Sequence, residues 1–84
     1  MPYWVYVLSS EKLSRRYIGH TDNLEARLLR HNEGMVFSTA PYRPWVLVQA
    51  EQFSTRSEAM RRERFLKSGK GRELLARLEA GGCP

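Results

Sequence analysis

One cysteine, Cys83, stands in a chain of 84 residues, so no internal disulfide can form, and no Cys/His cluster offers a structural metal site. Whatever folds this chain must be burial alone, which is consistent with a reducing compartment. Long apolar runs are also missing: nothing approaches the roughly 20 residues that span a bilayer. The first four residues lack the basic start and small-residue cleavage site of a signal peptide, which predicts a cytoplasmic protein without membrane contact. There is no internal repeat, no low-complexity tract and no sign of a second domain. Residues 1–80 are predicted to form one domain and residues 81–84 a flexible tail. Acidic residues are scarce relative to basic ones, nine Asp and Glu against 14 Lys and Arg. The resulting charge of +5 suits a polyanionic partner, although a basic surface also serves solubility and charge alone leaves both readings open.

What is present is a globular composition, 42% apolar, with order in its patterning. Residues 3–8 are almost all apolar, aromatic or β-branched, which predicts a strand covered on both faces and central in its sheet. Alternation puts Trp4, Tyr6 and Leu8 on one face and Tyr3, Val5 and Val7 on the other. A polar connection leads to a second strand over residues 16–20, paired with the first as a hairpin, in which Gly19 marks a bend or a close backbone approach. Asp22 and Glu25 predict a capping box opening a helix that Gly34 stops. Its inward stripe is Leu24, Leu28 and His31, with Arg27 at the edge. Residues 35–44 read as a loop, residues 45–53 as a third strand. Thr55 and Glu58 open a second helix running to Ser68, with Ala59, Glu63 and Leu66 inward. Ser68-Gly69-Lys70-Gly71 reads as a break before a last helix over residues 72–80, which uses Leu74, Leu75 and Leu78. The expected class is α+β: a three-stranded antiparallel sheet, first strand central, flanked by about three helices.

Three positions that the pattern reserves for apolar side chains carry Tyr6, His31 and Glu63. An ionised carboxylate buried without a partner costs several kcal/mol on the order-of-magnitude scale, so Glu63 must pair with a cation such as Arg27, Arg62 or Lys67, hold a metal, or sit at a cleft mouth. Taken singly, His31 reads as a satisfied core histidine, Arg27 as a solvated charge, and Tyr6 and Tyr17 as packing residues. Taken together, phenols, an imidazole, a guanidinium and a carboxylate supply the parts of a phosphodiester hydrolase. Glu63 could hold one hard divalent cation such as Mg²⁺ or Mn²⁺, and Arg27 could fork onto phosphate oxygens. A phenol of pKa about 10 is only about one part in a thousand ionised at pH 7. Either the nearby cation and Arg27 lower the Tyr6 pKa, or His31 takes the proton directly or through the phenol.

These residues, in this order, resemble the GIY-YIG nuclease superfamily. The likeness is carried by Trp4-Val5-Tyr6, ten intervening residues, Tyr17-Ile18-Gly19, then Arg27, His31 and Glu63, and it covers nearly the whole chain. Arg43-Pro44-Trp45, Ser57-Glu58-Ala59 and the stretch from Leu66 to Arg72 are similar to the small stand-alone bacterial branch. The resemblance implies metal-dependent endonuclease activity on nucleic acid, DNA before RNA, with Tyr6, Tyr17, Arg27, His31 and Glu63 catalytic and Glu63 the metal ligand. It extends to branched, damaged or single-stranded DNA as substrate, to repair or recombination as setting, and to a homodimer as one possible assembly. Arg16, Arg30, Lys67, Lys70 and Arg72 are the expected nucleic-acid contacts. Two departures stand out: Trp4 replaces the first glycine of the motif, and no Asn follows Glu63. The rival reading is a binding module that keeps the nuclease fold with weak or absent chemistry.

Overall fold

The computed structural model describes residues 2–12 and 15–81, and side chains as far as residue 77. The chain order is β1 (Tyr3–Ser10), β2 (Arg16–Thr21), α1 (Leu24–Asn32), a 3-10 turn (Ala40–Tyr42), β3 (Trp45–Phe53), α2 (Arg56–Lys67) and α3 (Gly69–Gly81). The three strands form one antiparallel sheet in the order β2-β1-β3, so the most apolar strand is the central one. This is the expected α+β architecture. Of the expected tail over residues 81–84, Gly81 is instead the last residue of α3; residues 82–84, and the expected role of Leu78 in packing, lie outside the described residues.

Alternation along β1 divides the interior in two. Val5 and Val7 meet Ile18, Ala59, Leu66 and Leu75 on one face. Tyr6 and Leu8 meet Trp45 on the other, flanked by Tyr17, Leu24, Leu28, Tyr42 and Leu47. Thus α2 and α3 cover the valine face and α1 the tyrosine face. A bulge opposite Val7 and Leu8 shifts the register of β3, so its two ends contribute to different faces: Trp45 and Leu47 to the tyrosine side, Phe53 to the valine side.

The ends of the elements follow local chemistry, with two corrections. Asn23, not Asp22, caps α1, its side chain accepting from the Ala26 N–H at 3.1 Å while the Thr21 hydroxyl grips the Asn23 N–H at 3.1 Å. The second helix opens as expected on Thr55, which accepts from the Glu58 N–H at 3.2 Å. Gly34 adopts φ of 78° after α1, a left-handed turn that suits glycine. The predicted break at residues 68–71 is much shorter than expected, since α3 already begins at Gly69. Gly71 acts as a packing residue there: a Cβ would collide with the backbone of Phe65 and Leu66.

Candidate active site

Tyr6 sits at the middle of the central strand, paired with Gly19 of β2. A Cβ on Gly19 would lie 2.7 Å from the Tyr6 hydroxyl and 3.1 Å from Cε1 of Tyr17. The close approach expected at this glycine is therefore made by the two tyrosine rings, which fill the space a side chain would need. Their centroids lie 6.1 Å apart, and the Tyr17 ring lies 4.7 Å from the imidazole of His31.

Around the Tyr6 hydroxyl a connected network forms. Arg27 Nε donates to it at 3.3 Å, and His31 Nε2 lies 3.1 Å away. On the far side of the ring, His31 Nδ1 meets the Thr39 hydroxyl at 2.8 Å. Tyr6 and His31 are almost wholly enclosed, at 1% and 0% exposure, and His31 is the one buried side chain of α1. Enclosure sets the titration. Burial pushes the Tyr6 phenol up to about 12, and the hydrogen bond from Arg27 opposes this without overcoming it. Burial, with the Arg27 charge second, pushes His31 down to about 4. The expectation that Arg27 lowers the Tyr6 pKa is right in sign but is outweighed by desolvation. Both groups are neutral at pH 7, while the Tyr6 hydrogen bond raises the Arg27 pKa further and keeps that side chain cationic.

Glu63 belongs to a different environment. It lies on α2, against the valine face, and its carboxylate oxygens contact His20 Nδ1 at 2.6 Å and Lys67 Nζ at 2.7 Å. Of the three cations considered for it, Lys67 is the partner. Arg62 instead makes a two-pronged bond with Glu51, at 2.8 and 3.0 Å. Burial, the largest single influence, pushes the Glu63 carboxyl up, but the hydrogen bonds and charges of Lys67 and His20 together hold it below its ordinary value. Its side chain keeps 19% exposure and Lys67 53%, so this pair is open to exchange.

The structure thus gathers Tyr6, Tyr17, Arg27 and His31 on one face and puts Glu63 on the other. The edge strand β2 joins them. Beside it is a cleft of about 310 Å³ lined by His20, Asp22, Arg27, Arg30, Arg56 and Tyr3, the Arg56 guanidinium lying over the Tyr3 ring. A second cleft of about 400 Å³ is lined by Arg15, Arg16, Tyr17, Lys67 and Arg72. Of the expected nucleic-acid contacts, Arg30 lines the first cleft, and Arg16, Lys67 and Arg72 the second. Lys70 is exposed and lines neither. His20 links the two groups, since it touches Glu63 and lines the cleft that holds Arg27.

His20 and Thr39 escaped the sequence reading. Alternation would have placed His20 on the same face as Ile18, toward the Glu63 stripe. Thr39 gave no signal, because its contact with His31 depends on the path of the loop.

Among the described residues no group of three or more His, Cys, Asp or Glu side chains converges as a metal cage. The donor set does fit a hard, largely hydrated cation, which binds through one or two carboxylates. Glu63 provides one, and the oxygen it lends to the exposed Lys67 can be released.

A family model described as the GIY-YIG catalytic domain matches residues 2–75. A UPF0213 protein of Staphylococcus haemolyticus is 41% identical over 78 residues, 92% of this chain and 94% of that protein. A UPF0213 protein of Natronomonas pharaonis is 40% identical over 68 residues, 79% of this chain and 78% of that one. The solution NMR structure of a UPF0213 protein from Bacillus halodurans is similar with a TM-score of 0.57 and 31% identity, covering 96% of this chain and 88% of that one.

Proposed function

The chain belongs to the GIY-YIG catalytic-domain family, and from this membership and the site we propose that it is a divalent-metal-dependent endonuclease acting on DNA. The observation that carries the reading is the enclosed contact of Tyr6 with both Arg27 and His31, set beside an arginine-lined cleft. Packing alone has no use for a phenol, an imidazole and a guanidinium meeting at one oxygen.

In this mechanism the scissile phosphate lies along the outer edge of β2, which both faces reach. Arg27 steadies Tyr6 through Nε and offers the rest of its fork to the non-bridging oxygens. The attacking water gives its proton to the Tyr6 oxygen as the Tyr6 hydrogen passes to His31 Nε2, so no free phenolate forms. Phosphate binding assists this transfer, because neutralising Arg27 removes one of the two influences that depress His31. Tyr17 forms the wall that keeps the water against Tyr6. Glu63 would hold Mg²⁺ or Mn²⁺, whose charge would stabilise the negative phosphate and the leaving oxygen. Arg16, Arg30, Lys67 and Arg72 would bind flanking phosphates, and Lys70 more distant ones. A small domain with two basic clefts suits structure-dependent substrates, branched, damaged or single-stranded, better than sequence readout.

One observation favours the rival reading of a binding module: both Glu63 oxygens are already engaged by cationic or polar partners. The test incubates the protein with labelled single-stranded, duplex and branched DNA and with RNA, in Mg²⁺, Mn²⁺ or chelator, beside Glu63→Ala. Metal-dependent cutting that disappears in the variant while binding persists supports the nuclease. Salt-sensitive binding without cutting in either protein supports the module.

A further inference from the structure

The network around Tyr6 continues past His31 to a residue on the connection between α1 and β3. We propose that Thr39 is a positioning residue: its buried hydroxyl accepts from His31 Nδ1 and holds the imidazole in the Nδ1–H tautomer, leaving Nε2 bare toward the Tyr6 hydroxyl. The inference rests on the nuclease reading only for its consequence on rate; the tautomer itself is independent of it.

The direction of the chain follows from donors and acceptors. Arg27 Nε can only donate, so it occupies a lone pair of the Tyr6 oxygen. The Tyr6 hydrogen then has His31 Nε2 as its acceptor at 3.1 Å. That leaves the imidazole hydrogen on Nδ1, 2.8 Å from Thr39 Oγ1. The threonine hydrogen in turn reaches the Val36 carbonyl at 3.3 Å. The reverse order would aim two N–H donors, one of them from a permanent cation, at the same phenol oxygen.

Thr39 is built in firmly enough for this task, at 2% exposure. Its N–H and that of Ala40 bond the Val36 carbonyl at 3.1 and 3.0 Å, and its own carbonyl accepts from the Trp45 indole at 3.0 Å. Trp45 is pinned from the other side by Asn32, whose amide nitrogen donates to the Trp45 carbonyl at 3.1 Å. The connection is therefore an arm of the site. A histidine in the wrong tautomer would present a donor to Tyr6 and could not take its proton.

The test reads the imidazole directly, by long-range ¹H–¹⁵N spectra of the histidine side chains at pH 7.5. The chain has two histidines, and His20→Gln assigns the other. The expected result is Nδ1–H for His31 in the parent and in Thr39→Ser, and a shift toward Nε2–H in Thr39→Val. In the metal-supported DNA cleavage assay Thr39→Val should slow single-turnover cutting by about 10²-fold or more, the lower end of what a positioned base contributes. Thr39→Ser should restore most of the rate, which a purely structural loss would not require. An Nε2–H tautomer in the parent, or a folded Thr39→Val that keeps Nδ1–H, overturns the proposal. So does a shifted tautomer with parental cutting. If Thr39→Val does not fold, the parent and Thr39→Ser spectra decide. If no nucleic acid is cut, the nuclease reading fails while the spectra still decide the role of Thr39.

Discussion

The two faces of the sheet hold their polar groups on different terms. On the tyrosine face Tyr6 and His31 are sealed in and neutral, arranged by hydrogen bonds that reach as far as Thr39. On the valine face Glu63 is charged and partly wet, held by a half-exposed lysine and a histidine. In the proposed mechanism this is a division of labour: enclosure fixes the geometry for proton transfer from Tyr6 to His31, and exposure leaves Glu63 free to exchange Lys67 for a cation.

The largest expected effect is on the sealed side. Tyr6→Phe should lower single-turnover cleavage on the order of 10²- to 10⁴-fold, and should cost about 1–3 kcal/mol of stability in urea unfolding by leaving His31 Nε2 buried without its partner. A stable variant that cuts at the parental rate would remove Tyr6 from the chemistry and reduce the network to packing.

The second contrast is in pH dependence. The folded His31 pKa, about 4, lies below its ordinary 6.5, so between these values the unfolded chain binds more protons. Its neutral-form stability is complete above pH 6.5 and is lost as pH falls toward 4, by on the order of 3 kcal/mol. Glu63 has the same sign, its stabilising charge being lost as pH falls through its lowered folded value. Urea unfolding at pH 7.5, 6 and 4.5 should show the loss, and His31→Asn should flatten it. An unchanged slope in that variant would mean that His31 is not the sealed group.

How much of this the sequence disclosed depended on whether a rule had competitors. Gly19 was legible because a glycine within a strand announces a close approach, and the approach proves to be the Tyr6 and Tyr17 rings. The cap of α1 was not, because Asp22 and Asn23 stand side by side and the Thr21 hydroxyl decides in favour of Asn23. Residues 68–71 read as a break because glycine disfavours helix, yet at Gly71 the missing Cβ is what lets α3 close on the end of α2. The candidate site residues Tyr6, His31 and Glu63 were visible as violations of the apolar pattern. Their partners were not, since His20 meets Glu63 and Thr39 meets His31 only through tertiary placement.

A smaller effect is expected from Gly19→Ala. The added methyl must push the Tyr6 and Tyr17 rings, so stability should fall by about 1–3 kcal/mol, with a drop in cleavage from the displaced hydroxyl. Wild-type behaviour in both would show that the two tyrosines have room to move. The smallest is Lys67→Ala, whose exposed pair with Glu63 should change unfolding by about 1 kcal/mol or less. The variant should need less Mg²⁺ for half-maximal cutting, because the carboxylate is freed. A higher requirement would mean that Lys67 helps to assemble the metal site.

In the proposed mechanism the enclosed and the exposed groups act on one phosphate at the edge of β2. Single-turnover cleavage and binding of the same labelled DNA, with Mg²⁺, by the parent, Tyr6→Phe and Glu63→Ala decide whether they do. Both variants should bind like the parent and lose cutting. A variant from either face that cuts as fast as the parent would contradict the claim and remove that face from the reaction.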